Sequence, residues 1–183
     1  MNILLSNDDG IHANGIRALS EELSADYDVY IIAPNQERSA AGHSITLNSP
    51  LRVEEVDAKY GSKRSWSVSG TPGDCVKIGV SAILAENEKP DLIILGGDYG
   101  EDGPTSLTAL THLKALTAPL GIYGCAGNHD RADISEEELY RAMSDNGIMP
   151  LINSGTVLRI RDKNLGLCAV DDVICGTPDY AAA

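Results

Sequence analysis

Short runs of unbroken apolar residues, separated by amphipathic stretches, constrain the fold of this chain more than any other feature. Ile3, Leu4 and Leu5 stand in a row, Val29 to Ala33 follow Asp28 and end at Pro34, and Leu92 to Leu95 follow Asp91. A strand buried on both faces reads as continuous apolar residues, and such strands occur in parallel sheets covered by helices. Strands are therefore predicted at 2–6, 28–33, 91–95 and 120–125. The stretches between them carry helical spacing. Ile16, Leu19 and Leu23 predict one face of a helix over 14–25, and leucines at 107, 110, 113 and 116 predict another over 105–116. Residues 74–85 predict a helix N-capped near Thr71 or Asp74, and 135–146 one that opens on a Ser135/Glu138 capping box and stops at Gly147. Strands are also expected at 51–56 and 65–69, with a turn at Gly61, and an antiparallel ribbon from 157–160 and 165–170. The pattern predicts a three-layer α/β/α fold with a mainly parallel sheet and a small antiparallel C-terminal ribbon. At 183 residues, and with no shift in composition to mark a linker, 1–183 reads as a single α/β domain.

Charge narrows the partners. A formal net charge of −13 makes a nucleic-acid duplex a poor ligand, because affinity there comes largely from Lys and Arg on phosphates. A small phosphorylated substrate is compatible with this acidity if a bound cation offsets the local charge. No apolar run reaches the roughly 18 residues of a membrane span. Met1 to Leu5 lacks a basic region and is not read as a secretory signal. The four cysteines, at 75, 125, 168 and 175, form no C-x-x-C pair, and reduced, mostly buried thiols in a cytoplasmic protein are expected.

Ligands of parallel sheets collect at the carboxyl ends of the strands, where Asp8, Asp9 and Asp98 fall. Asn7-Asp8-Asp9-Gly10 sets two carboxylates directly after a strand, with a glycine to turn the chain behind them. Their repulsion requires a cation, hydrogen bonds or water, and hard oxygen ligands suit magnesium or manganese. An acidic turn with a helix cap at Asp9 is the alternative reading of the same residues.

Three segments in order, Asn7-Asp8-Asp9-Gly10-Ile11, Ala33 to Ser44 (APNQERSAAGHS) and Ser69 to Val76 (SGTPGDCV), resemble the survival protein E (SurE) family of nucleotidases over about residues 1–95. The resemblance implies a Rossmann-like sheet and a metal-dependent phosphatase of nucleoside monophosphates, a 5′-nucleotidase. Asp8, Asp9 and Ser39 match its metal ligands, and Asp8 and Asp9 are the expected catalytic carboxylates. Ser39 and His43 are candidates for contact with the substrate phosphate. The family's fourth ligand is an Asn after the third buried strand; here Asp98 stands in its place. A homo-oligomer is compatible with the resemblance.

From about residue 90 the text changes. Pro90 to Tyr99 (PDLIILGGDY), Pro119 to Tyr123 and Gly127-Asn128-His129-Asp130 resemble calcineurin-like metallophosphoesterases over about 90–183. There an Asp matching Asp98 and an Asn matching Asn128 hold metal, and a His matching His129 contacts the phosphoryl group. That family's opening Asp-x-His motif and its later histidines have no match. The chain reads as a chimera, the front of one phosphatase family joined to the middle of another. A SurE-like phosphomonoesterase is the leading expectation; the alternatives are a calcineurin-like metallophosphoesterase and an inactive remnant that binds metal or nucleotide.

Overall fold

Strand β1 (Asn2–Leu5) forms where the sequence is apolar without a break, and it pairs in parallel with β2 (Asp28–Pro34), Asn2 opposite Asp28. The computed structural model describes residues 1–38, 46, 49–57, 60–160 and 162–183. The chain divides into two compact units, Met1–Leu92 and Ile93–Ala183.

In the first unit, β3 (Val53–Val56) and β4 (Arg64–Val68) complete a four-stranded sheet in the order β1-β2-β4-β3. β2 and β4 run parallel, and β3 and β4 antiparallel. Every residue of β2 after Asp28 is buried, and alternation sends its side chains to two cores. Val29, Ile31 and Ala33 join Leu5, Ile11 and Ile16 of helix α1 (Asn14–Leu23). Tyr30 and Ile32 join Trp66, Val68, Leu84 and Cys75 of helix α2 (Pro72–Ile78). Helices thus cover both faces, as the apolar run of β2 requires.

In the second unit, β5 (Ile93–Leu95), β6 (Ile122–Gly124) and β7 (Met149–Pro150) form a parallel sheet in that order. Helices α3 (Gly103–Leu113) and α4 (Glu136–Asp145) pack on it through Leu110, Leu139 and Met143. β8 (Ser154–Ile160) and β9 (Lys163–Ala169) form the antiparallel ribbon, Ser154 opposite Ala169. The fold is mixed α/β with mainly parallel pairing and a C-terminal antiparallel ribbon, and its parallel strands are shared between two sheets.

Several local expectations are corrected. The inward stripe of α1 is the buried Ile16 and Ser20 with the half-buried Leu23; Leu19 is 49 % exposed. Ser20 tolerates full burial because its hydroxyl donates to the Tyr60 carbonyl at 2.8 Å. The helix expected over 74–85 starts earlier, at Pro72, and after Ile78 widens into a π-helical turn, Gly79–Ile83. β5 is not buried throughout: Ile93 and Leu95 pack against the core, while Ile94 points the other way and is 61 % exposed. All four thiols are free, and Cys75 is buried, but Cys168 and Cys175 are exposed, against the expectation of mostly buried cysteines. No helix among the described residues is long and apolar enough to cross a membrane.

Candidate functional site

The turn after β1 brings two carboxylates to the carboxyl edge of the first sheet. Gly10 adopts φ +96°, a region open to glycine at little cost. A side chain there would press on backbone, 3.1 Å from the Gln36 carbonyl carbon and 3.3 Å from the Pro34 oxygen. Two backbone hydrogen bonds fasten this turn to the end of β2: Ile11 N–H donates to Pro34 O at 2.9 Å, and Arg38 N–H to Asp8 O at 2.7 Å. Asp8 and Asp9 are left exposed, and neither carboxylate has an ion-pair partner among the described residues. Beside them the Asn7 amide is buried at both Oδ1 and Nδ2 with no hydrogen-bond partner among the described residues. Two hard oxygen donors and an uncommitted amide fit an oxygen-loving divalent cation in donor chemistry.

The β4–α2 turn meets the chain that flanks this edge. The Arg38 guanidinium donates to Ser69 O at 2.9 Å. Thr71 caps α2 by accepting from Asp74 N–H, and Asp74 returns the bond to Thr71 N–H at 3.0 Å. The Asp74 carboxylate also takes the Thr46 hydroxyl at 2.7 Å and the Thr46 amide at 3.1 Å. Burial alone would raise its pKa; the bonds from Thr46 and Thr71 outweigh burial and hold it below the usual carboxylate value. Ser39 and His43 lie outside the described residues.

The second constellation lies at the carboxyl ends of β5 and β6. Gly97 and Asp98 both turn left-handed, at φ +91° and +52°. Asp98 is half-buried, and its Oδ1 accepts from the His129 amide at 3.1 Å. The exposed His129 ring has Nδ1 3.1 Å from the Glu101 carbonyl, and Asn128 is half-buried beside it. Asp98 and His129 thus meet through one hydrogen bond, beside a residue to which the sequence analysis gave no role, Asp130. That residue is fully buried and accepts from Asp98 N and Tyr99 N at 2.7 Å, Ser106 Oγ at 2.7 Å and Gly127 N at 2.9 Å. Its spacing three residues after Gly127, typical of a side chain that closes its own turn, was the available signal.

β1 pairs with β2 in the first unit, and β5 with β6 in the second. Among the described residues no three His, Cys, Asp or Glu side chains gather into a group that could hold a metal ion.

Comparison with known proteins adds names to this geometry. The family model for survival protein SurE matches residues 3–110, and that for calcineurin-like phosphoesterases matches residues 77–173. Proteins named 5′-nucleotidase SurE are similar over long segments. That of Prochlorococcus marinus subsp. pastoris is 47 % identical over 109 residues, 58 % of this chain and 40 % of the relative. That of Geobacter sulfurreducens is 39 % identical over 159 residues, 81 % of this chain and 58 % of the relative. The chain therefore spans about two fifths to three fifths of the length of these curated relatives. A solved structure of the SurE protein from Aquifex aeolicus aligns over 93 % of this chain and 83 % of its own, at 23 % identity and a TM-score of 0.47.

Proposed function

Because this chain belongs to the survival protein SurE family over residues 3–110 and to the calcineurin-like phosphoesterase family over residues 77–173, we propose that it is a metal-dependent phosphomonoesterase acting on nucleoside monophosphates, a 5′-nucleotidase. Both families are metal-dependent, and magnesium or manganese suits the donors present. The observation that carries the reading is the pair of exposed carboxylates Asp8 and Asp9, without an ion pair among the described residues, on a glycine turn pinned to the end of β2. In this reading Asp8 and Asp9 hold the cation, with Ser39 as a further ligand. Ser39 and His43 meet the substrate phosphate. A bound cation would polarise a phosphoryl oxygen and offset charge that builds in the transition state. Asp8 or Asp9 also helps activate the water that attacks phosphorus, by accepting a hydrogen bond from it.

The test is hydrolysis of a panel of phosphomonoesters and phosphodiesters, titrated with magnesium and with manganese. Nucleoside monophosphates are expected to be the best substrates. Asp8→Ala is expected to lower kcat by about 100-fold or more, the scale of losing a principal transition-state stabiliser. A diester preference, with full activity in Asp8→Ala, would sink the proposal.

The hydrogen bond from the His129 amide to Asp98 favours a second reading. There Asp98 and Asn128 hold the cation and His129 contacts the phosphoryl group, as in a calcineurin-like enzyme. Loss of activity in His129→Ala, with Asp8→Ala tolerated, is the result that selects it.

A further inference from the structure

We propose that Asp130 is a positioning residue that sets Asp98 and the Asn128–His129 turn in the arrangement needed to present a carboxylate oxygen to a cation. The proposal rests on the reading of Asp98 as a cation ligand, in the one stretch, residues 77–110, that both family matches cover.

The argument begins with what a carboxylate can do. It only accepts, so every polar group that meets it must turn a donor toward it. Asp130 is 0 % exposed, and each of its oxygens takes two donors. Oδ1 accepts from the Tyr99 amide and the Ser106 hydroxyl, and Oδ2 from the Asp98 and Gly127 amides. No Lys, Arg or His is within ion-pair distance of it among the described residues. Four dipoles take the place of solvent, and a buried charge left short of them would be costly.

This demand shapes the loop that carries Asp98. For successive amides of Asp98 and Tyr99 to converge on one carboxylate, the chain must turn at Gly97 and Asp98, and both adopt positive φ. Such converging amides form an anion-binding nest, and here the anion comes from the protein's own Asp130. The third amide, from Gly127, draws the loop after β6 against the loop after β5. The approach is close enough that a side chain on Gly127 would strike the Asp98 carboxylate, and one on Gly97 would strike the Gly127 amide. His129 N–H then reaches Asp98 Oδ1, and Oδ2 takes no hydrogen bond among the described residues. Ser106 ties the same carboxylate to α3. One buried group thereby fixes the backbone conformation of Asp98, the side-chain direction of Asp98 and the distance to the His129 turn.

Asparagine cannot replace Asp130 without conflict. Either orientation of its amide puts an NH2 group against two donors, so the nest must open and Asp98 loses its support.

The experiment measures Mn2+ affinity calorimetrically on the full chain, below the melting temperature of each variant. Asp98→Ala is expected to weaken Mn2+ binding, and Asp130→Asn to weaken it by about 10- to 100-fold, the usual effect of removing a partner that orients a metal ligand. Ser106→Ala keeps three of the four donors, so it should fold even if Asp130→Asn does not, and it should shift affinity in the same direction. Leu110→Ala, which opens the same core without removing a donor to Asp130, is expected to lower the melting temperature and leave Mn2+ affinity unchanged. Wild-type affinity in Asp130→Asn or, where that variant does not fold, in Ser106→Ala, with binding impaired in Asp98→Ala, would overturn the positioning role and spare the reading of Asp98. An equal loss of affinity in Leu110→Ala would overturn it too, by showing general stability at work. Unchanged affinity in Asp98→Ala would overturn the reading of Asp98 itself, and the proposal with it.

Discussion

Cys75 is fully buried, and that burial pushes its thiol up to about 12. Burial raises Cys125 as well, whereas Cys168 and Cys175 are exposed. The thiolate is the reactive form, so in native protein at pH 8 an aromatic disulfide reagent should titrate two thiols quickly and the other two only after unfolding. Four fast thiols would show that the Cys75 core opens readily. Asp98 makes a second prediction at this scale. Asparagine tolerates φ +52° as well as aspartate does, and its carbonyl can still accept from His129 N–H. Asp98→Asn should therefore keep the melting temperature of the apo protein while it weakens Mn2+ binding, because only the charge is lost. If both quantities stay unchanged, Asp98 is a loop residue without a cation to hold.

The cap of α2 couples an element to pH. Asp74 has its pKa held below the ordinary 3.8 by the bonds from Thr46 and Thr71, which outweigh burial. A depressed folded-state value means that its stabilisation is fully present above that ordinary value and is lost as pH falls through the lower one. Acid melts should thus show wild type losing stability in that window, and Asp74→Asn, less stable at neutral pH, should show a flatter acid slope. A parallel slope in the variant would assign the acid response to other carboxylates. This cap was legible in sequence because Thr71 and Asp74 stand three apart beside Pro72. The end of α2 was not, because the π-helical turn Gly79–Ile83 continues the rotation and keeps the apolar spacing going. β5 was misread for a different reason: three apolar residues in a row do not say how many faces are covered, and only Ile93 and Leu95 meet the core. The adjacent Asp8 and Asp9 could be read directly from the chain. Asp130 could be read only as closing its own turn three residues after Gly127, because its bonds to Asp98, Tyr99 and Ser106 are not disclosed by sequence spacing.

Across the whole molecule, the two units have separate sheets and separate buried clusters. The single tryptophan, Trp66, is 4 % exposed in the first unit and so reports that unit alone. Leu110→Ala should cost the second unit about 2–5 kcal/mol, the range for large-to-small changes in a core. Its expected signature is an earlier loss of far-ultraviolet ellipticity with an unmoved Trp66 fluorescence midpoint. Equal shifts in both signals would mean that the units melt together. The antiparallel ribbon has a consequence of another kind, in the order of events during folding. In β8 and β9, Ile160 lies opposite Lys163, so the partners are already near in the chain. In the first sheet Tyr30 lies opposite Arg64, and in the second Ile93 lies opposite Ile122, so a long excursion must close before either pair can form. Hairpins zip in about 1–10 μs, while non-local pairing waits on the entropy of loop closure. Structure in a refolding chain should therefore begin at its carboxyl-terminal end, far in sequence from the two aspartates that the slower parallel sheet finally brings to its edge.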